Sequence, residues 1–273
     1  MKNILLLTDF SENSLNATHY AMHLFASEAC TFHVMYVHKI GTFTSDDLMR
    51  SPKESIYESI TKVPKEKLNA LVDDLKETFN NSKHTFDIII DFDVFIDAVK
   101  QATKNKSIDY IVMGTNGATN AKEVILGSNT VNMIRKINCK TIIVPEECTY
   151  KPIQEILLPL DPNDTIKGKV YTDLLEFIET YQLHLHVLRV NPNSENQEKL
   201  QSDTSNLSII DCKYHTVNDV PIDFAVASYL QTNTIDIIAL FIQKEGFLEH
   251  LFSKSKTRIN VSKIHKPILI LHS

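Results

Sequence analysis

The sequence predicts an α/β protein built as two tandem open α/β sandwiches, each with a mainly parallel five-stranded sheet. Short apolar runs alternate along the chain with segments whose apolar residues recur at helical spacing, and this alternation implies parallel strands joined by right-handed crossovers. The apolar runs are continuous, as expected for strands covered on both faces. The same order of runs begins again after residue 152, so the 273 residues divide into two small domains.

The first half is expected to contain five strands and four helices. The strands are predicted at residues 4–8, 32–37, 86–90, 108–113 and 141–144. The helices are predicted around the apolar residues of segments 17–25, 68–79, 95–102 and 131–137. Residues 145–152 are mostly polar with a proline at each end, which predicts a linker between one domain at residues 1–146 and another at residues 152–273.

The second half reads as a duplicate of the first. Residues 156–161 (ILLPLD) repeat residues 4–9 (ILLLTD) at a shift of 152. Residues 225–226 and 235–236 repeat residues 98–99 and 108–109 at a shift of 127. The second copy has therefore lost about 25 residues between its second and third strands, where the first copy carries its long helix.

Composition excludes several classes of protein. The net charge is −6 and both halves are mildly acidic, so we expect no nucleic-acid partner. No apolar run is long enough to cross a membrane and the amino terminus has no secretory pattern, which predicts a cytoplasmic protein without a membrane segment. Four widely spaced cysteines without a CxxC pair predict reduced thiols.

Three of the six glycines lie within 14 residues, at the end of the fourth predicted strand. They follow the pattern Gly114, two residues, Gly117, nine residues, Gly127, and a polar helix start follows at residues 128–130. Ligands of open α/β sheets bind at the carboxyl ends of the strands, and free amides at a helix start favour phosphate. Turn glycines followed by a helix cap would explain the same pattern without any ligand.

This segment resembles the Gly-2x-Gly-9x-Gly-Ser/Thr signature of the ATP-binding branch of the universal stress protein family, and residues 4–11 resemble that family's first strand and acidic turn. The resemblance implies a Rossmann-like fold in both halves and ATP as ligand, with Mg²⁺ as its usual companion. It implies that Asp9 lies near adenine and ribose and that the Val37 backbone meets the adenine edge. It also implies that the ribose and phosphate path is lined by Met113, Gly114 and Gly117, and that the phosphates are held by Gly127, Ser128, Asn129 and Thr130. For Asp9, a turn residue that complements a helix dipole is the alternative.

The duplicate predicts that only the first half binds ATP in this way. At the shift of 127, Phe241, Lys244 and Lys254 replace the three glycines. A phenylalanine side chain would fill the space that the nucleotide needs. Residues 255–257 remain a weaker candidate for an anion site, because Lys254 and Lys256 add positive charge there.

Two further polar pairs are weaker candidates for a metal site. Asp91 and Asp93 end a strand, and His184 and His186 lie two residues apart on one strand. A solvated strand end and a structural histidine pair are the alternatives, because no further ligand lies nearby in sequence. The Gly-x-Ser-x-Gly elbow and the Walker A loop are both absent from the sequence.

The preferred interpretation is an ATP-binding protein that senses or signals in stress adaptation, with no catalytic residue assigned. No side chain suggests an efficient general base for phosphoryl transfer. One alternative is a slow ATPase or autophosphorylating enzyme with Ser128 or Thr130 near the γ-phosphate, and another is an interaction scaffold without nucleotide. The family resemblance also implies sheet-edge dimers, so the halves are expected to form a pseudo-dimer and a further homodimer stays open.

Overall fold

The computed structural model describes residues 1–38, 56–115, 127–162, 164–191, 197–242 and 265–273. Strands and helices alternate through both halves. Those of the first half are β1 (Lys2–Leu7), α1 (Glu12–Leu24), β2 (Cys30–Val37), α2 (Ile56–Phe79), β3 (His84–Asp91), α3 (Phe95–Asn105), β4 (Tyr110–Gly114), α4 (Ser128–Lys136) and β5 (Lys140–Val144). Those of the second half are β6 (Glu155–Leu160), α5 (Gly168–Tyr181), β7 (His184–Asn191), α6 (Gln197–Leu207), β8 (Cys212–Asn218), α7 (Ile222–Thr232), β9 (Ile237–Ile242) and β10 (Ile268–His272).

The described strands form one ten-stranded sheet in the order β3-β2-β1-β4-β5-β10-β9-β6-β7-β8. Each half therefore has the same internal order, and all pairs within a half are parallel. The two expected five-stranded sheets are joined into one because β5 and β10 pair antiparallel at the shared edge. The α/β class predicted from the sequence is confirmed. The two five-stranded sheets that were expected are the two halves of a single sheet.

The strand registers reproduce the two sequence shifts. Ile4 pairs with Tyr110 across β1 and β4, and Ile156 pairs with Ile237 across β6 and β9. These partners differ by the predicted shifts of 152 and 127. The shortening also lies where the sequence indicated, since α2 has 24 residues and α6 has 11.

Two apolar cores cover the two faces of the sheet, and each core runs through both halves. The first contains the inward faces of α1, α2 and α5, including Ala17, Leu68 and Phe177. The second contains those of α3, α4 and α7, including Val99 and Ile134. Within the described ranges, no helix is long and apolar enough to cross a membrane.

Polar contacts also join the halves next to the β5–β10 pair. Lys140 Nζ lies 3.0 Å from Glu176 Oε2, and the Tyr181 hydroxyl donates a 2.7 Å hydrogen bond to Glu28 Oε1. On the other side of the junction, Asn16 Nδ2 donates to the carbonyl oxygens of residues 145, 146 and 148, at 3.0 to 3.3 Å. The linker segment is therefore tied to α1.

Candidate functional site

The carboxyl ends of β1 and β4, neighbouring strands of the first half, mark the place where a ligand crevice is expected. The chain leaves β1 for α1 on one face of the sheet and leaves β4 for α4 on the other. This is the topological switch point at which open α/β sheets bind ligands. Asp9 follows β1 and Gly114 ends β4, so the fold brings these two predicted residues to the same edge.

The start of α4 presents its first-turn amides beside this crevice. Gly127 occupies the N-cap position with φ −59° and ψ 153°, and among the described residues no side-chain cap bond is made there. Ser128 and Asn129 are exposed in the first turn. Uncapped amides at a helix start, together with the helix dipole, make a site for an anion.

Thr115 closes the base of the glycine loop. Its carbonyl oxygen accepts a 2.8 Å hydrogen bond from the Gly127 amide and a 3.1 Å bond from the Thr130 hydroxyl. The Thr130 side chain is buried and its hydroxyl is engaged in this way, whereas its backbone amide lies in the first turn of α4.

Gly114 is packed against a helix. A β-carbon at this position would lie 2.6 Å from Asn13 Oδ1 and 2.7 Å from Asn13 Cγ. Asn13 Nδ2 also donates to Thr115 Oγ1 at 3.4 Å. Sequence reasoning missed both Asn13 and Thr115, because a single asparagine in a helix and a single threonine after a strand carry no pattern of their own.

The Asp9 carboxylate is exposed and organises the turn before α1. Its Oδ1 accepts hydrogen bonds from the Ser11 amide at 3.1 Å and the Ser11 hydroxyl at 2.5 Å. Ser11 in turn caps α1 by accepting from the Ser14 amide at 3.3 Å. Asp9 therefore has the turn role that the sequence offered as the alternative, while its position at the crevice keeps it within the candidate site.

Two aromatic rings stand beside Asp9 at the end of β2. Phe10 has a φ of 63°, and its ring centroid lies 5.0 Å from that of Tyr36. Val37 ends β2 two residues beyond the last β1–β2 pair, which joins Leu7 to Met35. Both rings pack against the first core, and Lys67 Nζ of α2 lies 5.4 Å from the centroid of the Phe10 ring.

Of the remaining predicted residues, one lies in the core and one lies outside the described part of the chain. Met113 is buried, pairs with Ile143 and packs in the second core, so only its backbone is available to the crevice. Gly117 lies outside the described residues. So do residues 244 and 254–257 of the second half.

In the second half, the position equivalent to Gly114 is occupied by a buried phenylalanine. Phe241 is 1% exposed within the first core. The buried Arg189 guanidinium pairs with Asp203, with Nε and Nη2 at 2.9 and 2.6 Å from Oδ2. Arg189 Nη1 also donates to the carbonyls of Asp161 and Asp164 in the loop after β6. A buried and fully engaged guanidinium at this carboxyl edge was not foreseen from the sequence.

The two weaker metal candidates have structural partners. Asp91 and Asp93 accept hydrogen bonds from the backbone amides of residues 93 and 94, ahead of α3. His186 is buried between Glu155 Oε2 at 2.6 Å and the Tyr229 hydroxyl at 2.9 Å. In the described part of the chain, no group of three or more His, Cys, Asp or Glu residues could hold a metal ion.

The four cysteines are free thiols. Burial raises the pKa of Cys30 to about 11 and that of Cys139 to about 12, so both stay protonated at neutral pH. Burial also raises the pKa of Cys148 and of Cys212. A protonated, buried thiol is a poor nucleophile, so these positions give no sign of a reactive cysteine.

Comparison with known proteins agrees with the fold and with the family that the first half resembles. The model of the universal stress protein family matches residues 1–145. Universal stress protein MJ0577 of Methanocaldococcus jannaschii is 30% identical over 154 residues, which cover 52% of this chain and 94% of that protein. Universal stress protein MJ0531 of the same organism is 26% identical over 146 residues, covering 52% and 81%.

One solved structure resembles both halves together. The crystal structure of a universal stress protein from Archaeoglobus fulgidus matches 99% of this chain and 98% of its own, with a TM-score of 0.71 and 17% identity. At that identity the likeness concerns the fold alone. It extends the similarity over the second half, which the family model does not reach.

Proposed function

The chain belongs to the universal stress protein family, and from that premise we propose that its first half binds one ATP in the crevice between β1 and β4. Occupancy of this site, rather than turnover, would act as the signal in stress adaptation, through a conformational state or a protein partner. The observation that carries the proposal is the start of α4, where the N-cap Gly127 makes no side-chain cap bond among the described residues. A hydrogen bond from the Gly127 amide to the Thr115 carbonyl holds this start next to the end of β4.

The chemistry of the crevice fits a nucleotide. The amides of residues 128–130 and the dipole of α4 favour the phosphates. Asp9, which follows β1, and the backbone of Val37 at the end of β2 are proposed to meet ribose and adenine. Since no cluster of metal ligands lies among the described residues, Mg²⁺ would be held by phosphate oxygens and water, which is usual for this ion.

The second half is proposed to bind no ATP in this way. Phe241 occupies the position of Gly114, and the carbonyls after β6 already accept hydrogen bonds from Arg189. We further propose that the protein acts in the cytoplasm, that the halves paired through β5 and β10 act as a pseudo-dimer, and that two chains can associate further.

A slow ATPase or autophosphorylating enzyme is the alternative. Of the two hydroxyls considered for it, that of Thr130 is buried and bonded to Thr115, whereas Ser128 is exposed. This alternative therefore narrows to Ser128. Labelled-ATP turnover and phosphoryl transfer, compared between the wild type and Ser128→Ala, separate it from binding alone.

The test of ATP binding uses two substitutions of the N-cap glycine. The φ of −59° at Gly127 is open to any residue, so the backbone accepts both. Asp in Gly127→Asp would cap α4 with its carboxylate, occupy the amides and repel phosphate, while supporting the helix. Gly127→Ala adds bulk without charge and serves as the matched control.

We expect the wild type to carry about one ATP or ADP per chain after purification, or to bind ATP when it is added. Gly127→Asp should weaken ATP binding at least about tenfold with an unchanged or slightly higher melting temperature, because lost charge-assisted hydrogen bonds have that size. Gly127→Ala should bind more tightly than Gly127→Asp. A wild type that binds no nucleotide would contradict the proposal and leave the interaction scaffold.

A further inference from the structure

We propose that a cavity at the junction of the two halves binds a small oxyanion of the size of phosphate. This site is separate from the nucleotide crevice and does not depend on it. It lies under the linker, where the chain passes from β5 to β6. Its ligand would touch groups from α1, from the linker and from the segments that precede β9 and β10.

The cavity has a volume of about 170 Å³, enough for a small ion but not for a nucleotide. Its lining comes from both halves of the protein. Tyr20 belongs to α1, Cys148 and Lys151 to the linker, Asp236 to the start of β9, and Lys266 to the start of β10. A ligand here would therefore hold the linker against both halves.

The Tyr20 hydroxyl is the first observation that points to a ligand. Tyr20 is 2% exposed, and its hydroxyl oxygen has no hydrogen-bond partner among the described residues. By contrast, the hydroxyls of two other buried tyrosines have partners: Tyr171 donates to the Asn206 carbonyl, and Tyr229 bonds with His186 Nδ1. Burial raises the pKa of Tyr20, so the hydroxyl remains a donor and calls for an acceptor.

Two lysines of the lining favour an anion as the acceptor. Lys151 and Lys266 have no ion-pair partner in the described part of the chain, and both act to lower the pKa of the Cys148 thiol, although burial raises it overall. The lining also holds two carboxylates, which keep their charge but have partners of their own. Glu147 Oε2 lies 3.4 Å from His265 Nδ1, and Asp236 Oδ2 accepts from the amides of residues 154 and 155.

One hydroxyl donor and two ammonium groups around a small cavity match the acceptor-rich surface of a phosphate-like ion. Charge-assisted hydrogen bonds of this kind are stronger than those between neutral groups. The same groups offer nothing to an apolar ligand, because the unsatisfied hydroxyl and the lysines would stay unpaired.

The experiment measures binding of labelled inorganic phosphate to the full chain by equilibrium dialysis at constant ionic strength. It compares the wild type with Tyr20→Phe, which removes only the hydroxyl, and with Lys266→Gln. Lys100→Gln, an exposed lysine of α3, is the matched control. Each titration is run without nucleotide and with added ATP, so that phosphate held at the proposed nucleotide site is displaced and counted separately.

We expect phosphate to bind the wild type with ATP present. Tyr20→Phe and Lys266→Gln should each weaken this binding about tenfold, as for a lost hydrogen bond to a charged group, and Lys100→Gln should leave it unchanged. Melting curves of the variants without phosphate should match the wild type. If ATP does not bind at all, the proposed nucleotide function fails while the comparison of these variants still tests the junction.

Two results would overturn the inference. Phosphate that fails to bind in the presence of ATP, or that binds equally to all four proteins, would mean that the cavity holds only water. Weaker binding in Lys266→Gln but not in Tyr20→Phe would mean that a surface lysine, and not the cavity, binds the ion.

Discussion

Asn13 and Gly114 share one space, although they are 101 positions apart in the sequence. The end of β4 lies so close to α1 that a β-carbon on residue 114 would stand 2.6 Å from Asn13 Oδ1. The packing of β4 against α1 therefore also favours glycine at this position of the nucleotide signature. A bulky residue at 114 would disturb α1 as well as any ligand, which is why Gly127 is the sharper place to test binding.

We predict that Gly114→Ala lowers the free energy of unfolding by about 1 to 3 kcal/mol, the usual cost of an overpacked site. Asn13→Ala in the same chain should recover most of this loss, because it vacates the space that the new methyl group needs. Urea unfolding of the two single variants and the double variant measures the coupling. Purely additive losses would contradict the shared space.

The buried pair of Arg189 and Asp203 gives a second prediction. Either Arg189→Met or Asp203→Leu alone should cost about 3 to 5 kcal/mol, since each leaves one charge buried without its partner. The double variant should lose far less unfolding free energy than the sum of the two single losses. Arg135→Met, at an exposed arginine of α4, is the control and should change stability by about 1 kcal/mol or less. Additivity in the unfolding measurements would argue against the pair.

The Lys140–Glu176 pair predicts a dependence of stability on pH. The hydrogen bond from Lys140 lowers the pKa of the Glu176 carboxyl below its usual value, and this outweighs the effect of burial. A carboxyl whose pKa is lower in the folded state stabilises the fold fully above its unfolded pKa. This contribution disappears as the pH falls through the folded pKa.

Glu176→Gln should therefore be less stable than the wild type at pH 7, by about 1 kcal/mol or less because the side chain is half exposed. The difference should shrink towards zero under acidic conditions. Urea unfolding across this range measures it, with Glu179→Gln, one helical turn away and exposed, as the control. A difference that persists at acid pH would rule out the ion pair as its cause.

The thiols give a fourth prediction. Because burial raises the pKa of Cys30 to about 11 and of Cys139 to about 12, both should resist alkylation in the native protein. Cys212 is partly exposed and should be modified first. Mass spectrometry of iodoacetamide-treated protein, native and unfolded in urea, measures the order. Early modification of Cys139 would show that its surroundings open more readily than its burial implies.

Much of the fold could be predicted because the signals for it are local. The continuous apolar runs of β1 and β4 and the helical spacing of α3 identify these elements without reference to the rest of the chain. The two shifts of the duplicate located the shortened segment, and the spacing of Gly114 and Gly127 located the start of α4. The bond from the Thr130 hydroxyl to the Thr115 carbonyl could not be predicted, because it joins residues 15 positions apart with no sequence pattern of their own.

The sequence by itself determined the α/β class, the duplication and the crevice at which a nucleotide is proposed, because periodicity and spacing are properties of neighbouring residues. Only the tertiary structure decided that β5 and β10 merge two sheets into one, and that Arg189 finds Asp203. It likewise supplied Glu155 on the adjacent strand as the carboxylate partner of His186, for which the sequence offered none nearby. Strand pairing and buried ion pairs join residues far apart in the chain, and their geometry exists only once the strands have assembled.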